Sequence, residues 1–209
     1  NMRKETLLKI IGLFRKNIGK GMTMLEIAKT LKIGYRPAYN HLLAMQKEGI
    51  ITINEVGRAK QCLLNLKSER ARVLLQEADI ARKDELFKAN AKLRNVFEAL
   101  IPKIESHLLT EIRSIILFGS YARGGATKSS DVDLLFIIDN ISNKALRQEI
   151  ERECAGVMYS NNIKVSPAFA DIAEFRKMLA SRELNIGKEA KDYGLPVFGL
   201  ELFWEMVAS

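Results

Sequence analysis

Two apolar runs limit what this chain can fold into. Ile115-Ile116-Leu117-Phe118 contains no polar residue and empties directly into Gly119-Ser120, and the second run, Ser129 to Ile138, opens with two acids one residue apart, Asp131 and Asp133. Segments this short and this apolar are buried strands. Side chains alternate along a strand, so Asp131 and Asp133 share a face and can hold a hard cation between them. Acids at the mouth of an apolar strand are costly unless something neutralises them. A divalent ion does so, and a nucleoside triphosphate brings such an ion with its own oxygens. Gly119 lets the backbone approach a ligand closely, a helix should start after the turn, and its exposed N–H groups with the Ser120 hydroxyl form a seat for phosphate oxygens. Alone, each element is equally an ordinary tight turn or a strand start with solvated acids. Their joint spacing is what points to chemistry.

Charge divides the chain. Residues 1–68 hold 13 Lys and Arg against 4 Glu and no Asp, a balance of +9 within a total of +8. The positive excess therefore sits in the first third, as expected when one module meets a polyanion and another does different work. With 209 residues, 47% hydrophobic, the chain can bury one large core or two small ones. Only 4 residues are Pro, and no apolar run reaches the ~18 residues of a membrane-spanning helix, which excludes disordered, collagenous and integral-membrane classes. Cys62 and Cys154 lack CxxC spacing and read as buried free thiols. Arg3, Lys4, Glu5 and Lys9 interrupt any apolar signal core, so a cytoplasmic location is expected.

The first third reads as three helices and a hairpin. Leu7, Leu8, Ile10, Ile11 and Phe14 recur at helical spacing, and Thr23-Met24-Leu25-Glu26 fits a capping box for a short second helix. A third helix runs from Tyr35 to Gly49, followed by strands at 50–53 and 62–65 around Val56-Gly57-Arg58. This order resembles the winged helix-turn-helix family over residues 3–66. In that register Ala38, Leu42 and Met45 face the core, while Tyr35, Arg36, Tyr39 and Asn40 point toward a major groove and Arg58 and Lys60 toward phosphates. Double-stranded DNA is the implied partner, with a homodimer on two half-sites. Winged helices also dock proteins and pair chains. Gly34 stands where the family often has a Ser or Thr cap. Residues 67–101 predict one long helix or two in tandem, with Pro102 kinking or restarting the helix toward Leu109.

The strings Phe118-Gly119-Ser120-Tyr121-Ala122-Arg123-Gly124 and Ser130-Asp131-Val132-Asp133-Leu134 resemble the nucleotidyltransferase signature of the DNA polymerase β superfamily, in particular the small minimal nucleotidyltransferases. The resemblance covers roughly residues 88–207. It implies that Gly119 and Ser120 bind the β/γ-phosphates, with Arg123 or Lys128 adding charge if either is more than a surface residue, and that Asp131 and Asp133 bind Mg²⁺ or Mn²⁺. An acceptor hydroxyl then attacks the α-phosphorus and pyrophosphate leaves. The family also draws a third carboxylate from the next core strand, which here spans Asn162 to Phe169 and contains none. Ser166 occupies the place, and Asp171 follows too late.

The expected fold class is α/β (α+β) with two domains: a winged helix-turn-helix over 2–67, a helical connector over 68–87, and a nucleotidyltransferase-like mixed sheet with flanking helices over 88–209. Two functions remain open. One is a Mg²⁺-dependent nucleotidyltransferase coupled to a DNA-binding module. The other is a regulator of transcription, or an antitoxin-like protein beside a toxin-like partner, whose second domain binds nucleotide without turnover. The missing acid leaves two possibilities, weak turnover or an acid recruited from another segment.

Overall fold

The helical periodicity at the start of the chain buries one face. In the computed structural model, which describes residues 4–57, 59–108 and 110–209, α1 (Lys4–Arg15) places Leu7, Ile10, Ile11 and Phe14 inside. After β1 (Met22–Thr23), α2 (Met24–Leu31) opens on the capping box: the Thr23 hydroxyl accepts from the Glu26 N–H at 3.2 Å, and the Thr23 N–H donates to Glu26 Oε2 at 2.7 Å. Next comes α3 (Tyr35–Lys47), whose N-cap Gly34 supplies no side-chain bond and whose Ala38, Leu42 and Met45 are buried. Strands β2 (Ile51–Val56) and β3 (Ala59–Leu64) pair antiparallel. Gly57 takes the positive φ (+61°) that their tight turn needs. β1 adds to β3, giving the order β1-β3-β2. Arg58 lies outside the described residues.

The tandem-helix alternative is the one observed: α4 (Glu69–Ala89) and α5 (Ala91–His107). The break falls at Asn90 and not at Pro102, which lies inside α5. Asn90 takes a non-helical backbone and its amide donates to the Leu86 carbonyl at 3.1 Å, satisfying an acceptor that the end of α4 would leave open. The chain divides into two compact units, Asp79–Val207 and the remainder, and α4 belongs to both. Its first half buries Ala71, Leu74 and Leu75. Its second half lies within the other unit, where Asp79 accepts from the Trp204 indole at 3.0 Å and Arg82 donates to the carbonyls of Ala122, Tyr193 and Gly194.

The second unit continues through β4 (Ile112–Phe118), α6 (Gly119–Arg123), β5 (Val132–Ile138), α7 (Lys144–Asn161), β6 (Val165–Asp171), α8 (Ile172–Ala180), α9 (Ile186–Asp192), β7 (Leu195–Phe198) and α10 (Leu200–Ala208). Its mixed sheet has the order β6-β5-β4-β7; β5 and β6 are parallel across α7, and the other pairs are antiparallel. Alternation sorts the faces. Ile115, Leu117, Val132, Leu134 and Phe136 join α5 and the Leu146, Ile150, Cys154 and Val157 face of α7 in one core. Ile116, Leu135 and Ile137 are buried on the other face, where α8 and α9 contact the strands. Each such buried Leu, Ile or Phe contributes about 1.5–3 kcal/mol. Tyr121, Phe136 and Trp204 are core residues, and both cysteines are buried free thiols. Among the described residues no helix is long and apolar enough to cross a membrane.

Candidate functional site

Strand register builds the site. The antiparallel pairing of β4 with β5 sets Phe118 opposite Asp133, so the chain leaves β4 at Gly119 directly beside that carboxylate. Gly119 has φ +70°, and a Cβ there would lie 2.2 Å from Asp133 Oδ2. Glycine is required twice over, by the backbone angle and by the close approach. Ser120 follows in the first turn of α6.

Asp131 stands immediately before β5 on the same face as Asp133. Its Oδ2 accepts from Lys164 Nζ at 2.5 Å and from the Ser166 hydroxyl at 3.2 Å. The parallel register pairs Asp133 with Ser166, so a hydroxyl and not a carboxylate lies beside Asp133 on the neighbouring strand. Asp171 is no substitute: it pairs with Ile138 at the far end of β6, and its carboxylate caps α8 by accepting from the Glu174 N–H at 2.8 Å.

The two aspartates are tuned apart. The Lys164 hydrogen bond holds Asp131 below the usual carboxylate range, with the Lys164 charge and Ser166 adding to it and burial opposing. Burial pushes Asp133 up, and the negative charges of Asp131 and Glu189 push it further against a partial offset from Lys164. Mg²⁺ takes one or two carboxylates and fills its octahedron with phosphate oxygens and water. Two carboxylates on one face, one of them half-buried with its charge under-compensated, fit an ion shared with a triphosphate. Among the described residues no three His, Cys, Asp or Glu converge to form a closed metal cage.

An acid that the sequence did not single out also reaches the site. Glu189, on α9, accepts from the Gly119 N–H at 3.2 Å and from the Arg123 guanidinium. Arg123 also lies over the Tyr193 ring, 5.6 Å from its centroid. Seventy residues separate Glu189 from Gly119, and no local motif marks it. Lys128 lines a cavity of about 530 Å³ with Tyr121 of α6, Thr127, Asn162 and the start of α5.

On the first unit, Tyr35, Arg36 and Asn40 are exposed along α3. Tyr39 is half-buried, 6.3 Å from the Tyr35 ring and with Lys60 Nζ 5.8 Å from its centroid. The ring thus links the helix to the hairpin.

Residues 98–189 match the family model described as a nucleotidyltransferase domain. The chain is 36% identical over 81 residues to a provisionally named protein adenylyltransferase, MJ1305, of Methanocaldococcus jannaschii, covering 38% of this chain and 55% of that one. It is 28% identical over 94 residues to a second such protein of the same organism, MJ0141, covering 45% of this chain and 87% of that one. The chain thus spans about half the length of the first relative. Among solved structures, a mutant of the toxin–antitoxin MntA–HpeT shares 18% identity at a TM-score of 0.34, over 52% of this chain and 76% of that one.

Proposed function

We propose that the second unit binds a nucleoside triphosphate with Mg²⁺, or Mn²⁺ in its place, and transfers the nucleoside monophosphate to an acceptor hydroxyl, while the first unit is a winged helix-turn-helix that holds double-stranded DNA. The observation that carries this reading is the contact between turn and carboxylate: Gly119 approaches Asp133 so closely that no side chain fits between them. Phosphates on the turn would lie next to the acids. The Gly119 N–H and Ser120 would hold the β/γ-phosphates, Arg123 would add charge, and Asp131 and Asp133 would hold the ion, which when bound stabilises charge on the reacting oxygens. With phosphates on the turn, the α-phosphorus would lie toward the acids; the acceptor oxygen would form its bond to that phosphorus as the bond to pyrophosphate breaks, and the hydroxyl proton would pass to water. The relatives' names make ATP the donor and a protein hydroxyl the acceptor that we favour. Buried free thiols suit a reducing, cytoplasmic setting.

One pair of observations favours a second reading. Lys164 already neutralises Asp131, and Ser166 offers no carboxylate to take the acceptor's proton. A DNA-binding regulator that binds nucleotide without rapid turnover, alone as a homodimer or beside a toxin-like partner, fits these two residues. Incubation with α-labelled ATP and Mg²⁺, with the Asp131→Ala/Asp133→Ala double variant as control, separates the two. Label transferred by the wild type and lost in the variant supports the enzyme. Binding without transfer supports the regulator, and no binding at all rejects both.

A further inference from the structure

We propose that Glu189 is an internal competitor for the phosphate seat, so that a nucleotide binds this unit by displacing a carboxylate of the chain itself. The inference rests on the nucleotide-binding reading above. It adds an affinity-setting residue that the aspartates and the Gly-Ser turn do not imply.

Glu189 Oε1 accepts from the Gly119 N–H at 3.2 Å, and the Arg123 guanidinium donates to the same oxygen. These are two of the donors assigned to the β/γ-phosphates. A carboxylate oxygen and a phosphate oxygen make equivalent charge-assisted bonds to a backbone N–H and a guanidinium, so the two anions compete for one place. The side chain is about three-quarters buried, which strengthens the contact relative to a surface ion pair.

The supporting helix is fixed. Asn185 caps the start of α9 by accepting from the Lys188 N–H at 3.0 Å, and Tyr193, the residue that ends it, donates its N–H to the Glu189 carbonyl at 2.9 Å. Tyr193 therefore holds Arg123 from the ring side while Glu189 holds it from the charge side. Removing the carboxylate leaves Arg123 on its ring, ready for an incoming phosphate. Glu189 is not placed as a third metal ligand: its bonds are to the phosphate donors, and among the described residues no three His, Cys, Asp or Glu are placed to hold a metal ion.

The test is calorimetric binding of MgATP and of Mg-tripolyphosphate to the wild type, Glu189→Gln and Glu189→Ala. Both variants should bind each probe at least tenfold tighter, about 1.4 kcal/mol, with the same factor for the two probes because the competition is at the phosphates. Binding by the variants alone is the same result in stronger form. Wild-type binding that the variants leave unchanged or weaken overturns the proposal and leaves the nucleotide reading standing. No binding by any of the three proteins removes both. Should a variant fail to fold, the wild type decides: saturating tripolyphosphate should shift the Glu189 side-chain carboxyl resonance, and an unmoved resonance under saturation rejects displacement.

Discussion

Ser166 is the register partner of Asp133 across β5 and β6, and its hydroxyl donates to Asp131. A Ser166→Asp substitution therefore places a third carboxylate beside the other two. Without an ion, three clustered acids repel, and the variant should melt below the wild type in EDTA. Millimolar Mg²⁺ should restore the loss and raise the rate of label transfer from α-labelled ATP by about tenfold or more, within the range of a positioned general base. Equal melting of variant and wild type, with and without Mg²⁺, would mean that residue 166 and the two aspartates do not hold Mg²⁺ together.

Gly119→Ala tests the turn. The substituted Cβ meets Asp133 Oδ2 at 2.2 Å on a backbone with φ +70°, so the carboxylate must move or the turn must open. Destabilisation of about 1–3 kcal/mol is expected from the strained backbone, with MgATP binding lost in protein that is still folded. A urea titration and a binding isotherm on the same sample check both halves. Retained affinity in Gly119→Ala would show that nucleotide phosphates do not use this turn.

On the first unit, the predicted DNA face gives a salt signature. Affinity for duplex DNA should fall linearly on a log-log plot with salt, because bound counterions are released. Lys60→Ala should flatten the slope by about one ion and weaken binding to all sequences alike, whereas Arg36→Ala should also relax sequence preference if its guanidinium reads a base. Lys60 has a second effect: it sits over Tyr39, so its loss also frees the ring that joins helix to hairpin. Fluorescence anisotropy at four salt concentrations measures the slopes, and binding indifferent to salt would remove DNA from the proposal.

Local physics made part of this molecule readable in advance. The Thr23–Glu26 box, the capless Gly34 and the buried Ala38, Leu42 and Met45 depend on neighbours within one or two helical turns. The apolar runs before Gly119 and after Asp131 are legible as strands because alternation and burial act over a few residues. Tertiary approaches were another matter. Glu189 reaches Gly119 across 70 positions, and Lys164 reaches Asp131 across 33, with no periodicity to announce either contact. Lys128 and Arg123 are alike in sequence as nearby cations, and only tertiary structure shows that one lines a cavity with Tyr121 while the other meets Glu189. The helix breaks at Asn90, although Pro102 is the stronger local breaker, because an Asn side chain bonded to the Leu86 carbonyl ends a helix as well.

Burial of Cys154 sets a pH limit on the second unit. Its thiol is pushed up to about 12, first by burial and then by the charges of Glu153 and Glu151. In the unfolded chain the thiol ionises near pH 8.5. Above that value the unfolded state has lost a proton that the native state retains, so it binds fewer protons and stability must fall as pH rises. The loss begins near the unfolded pKa, continues toward the native one, and approaches about 1.4 kcal/mol per pH unit. Below pH 8 the thiol contributes no pH dependence. Cys154→Ala should be less stable than the wild type at pH 7, because it leaves a small cavity, but its decline between pH 8 and 10 should be shallower. The difference between the two urea-melting series isolates the thiol, since Lys and Tyr titrate alike in both. Parallel declines would mean that the native thiol ionises as readily as the unfolded one.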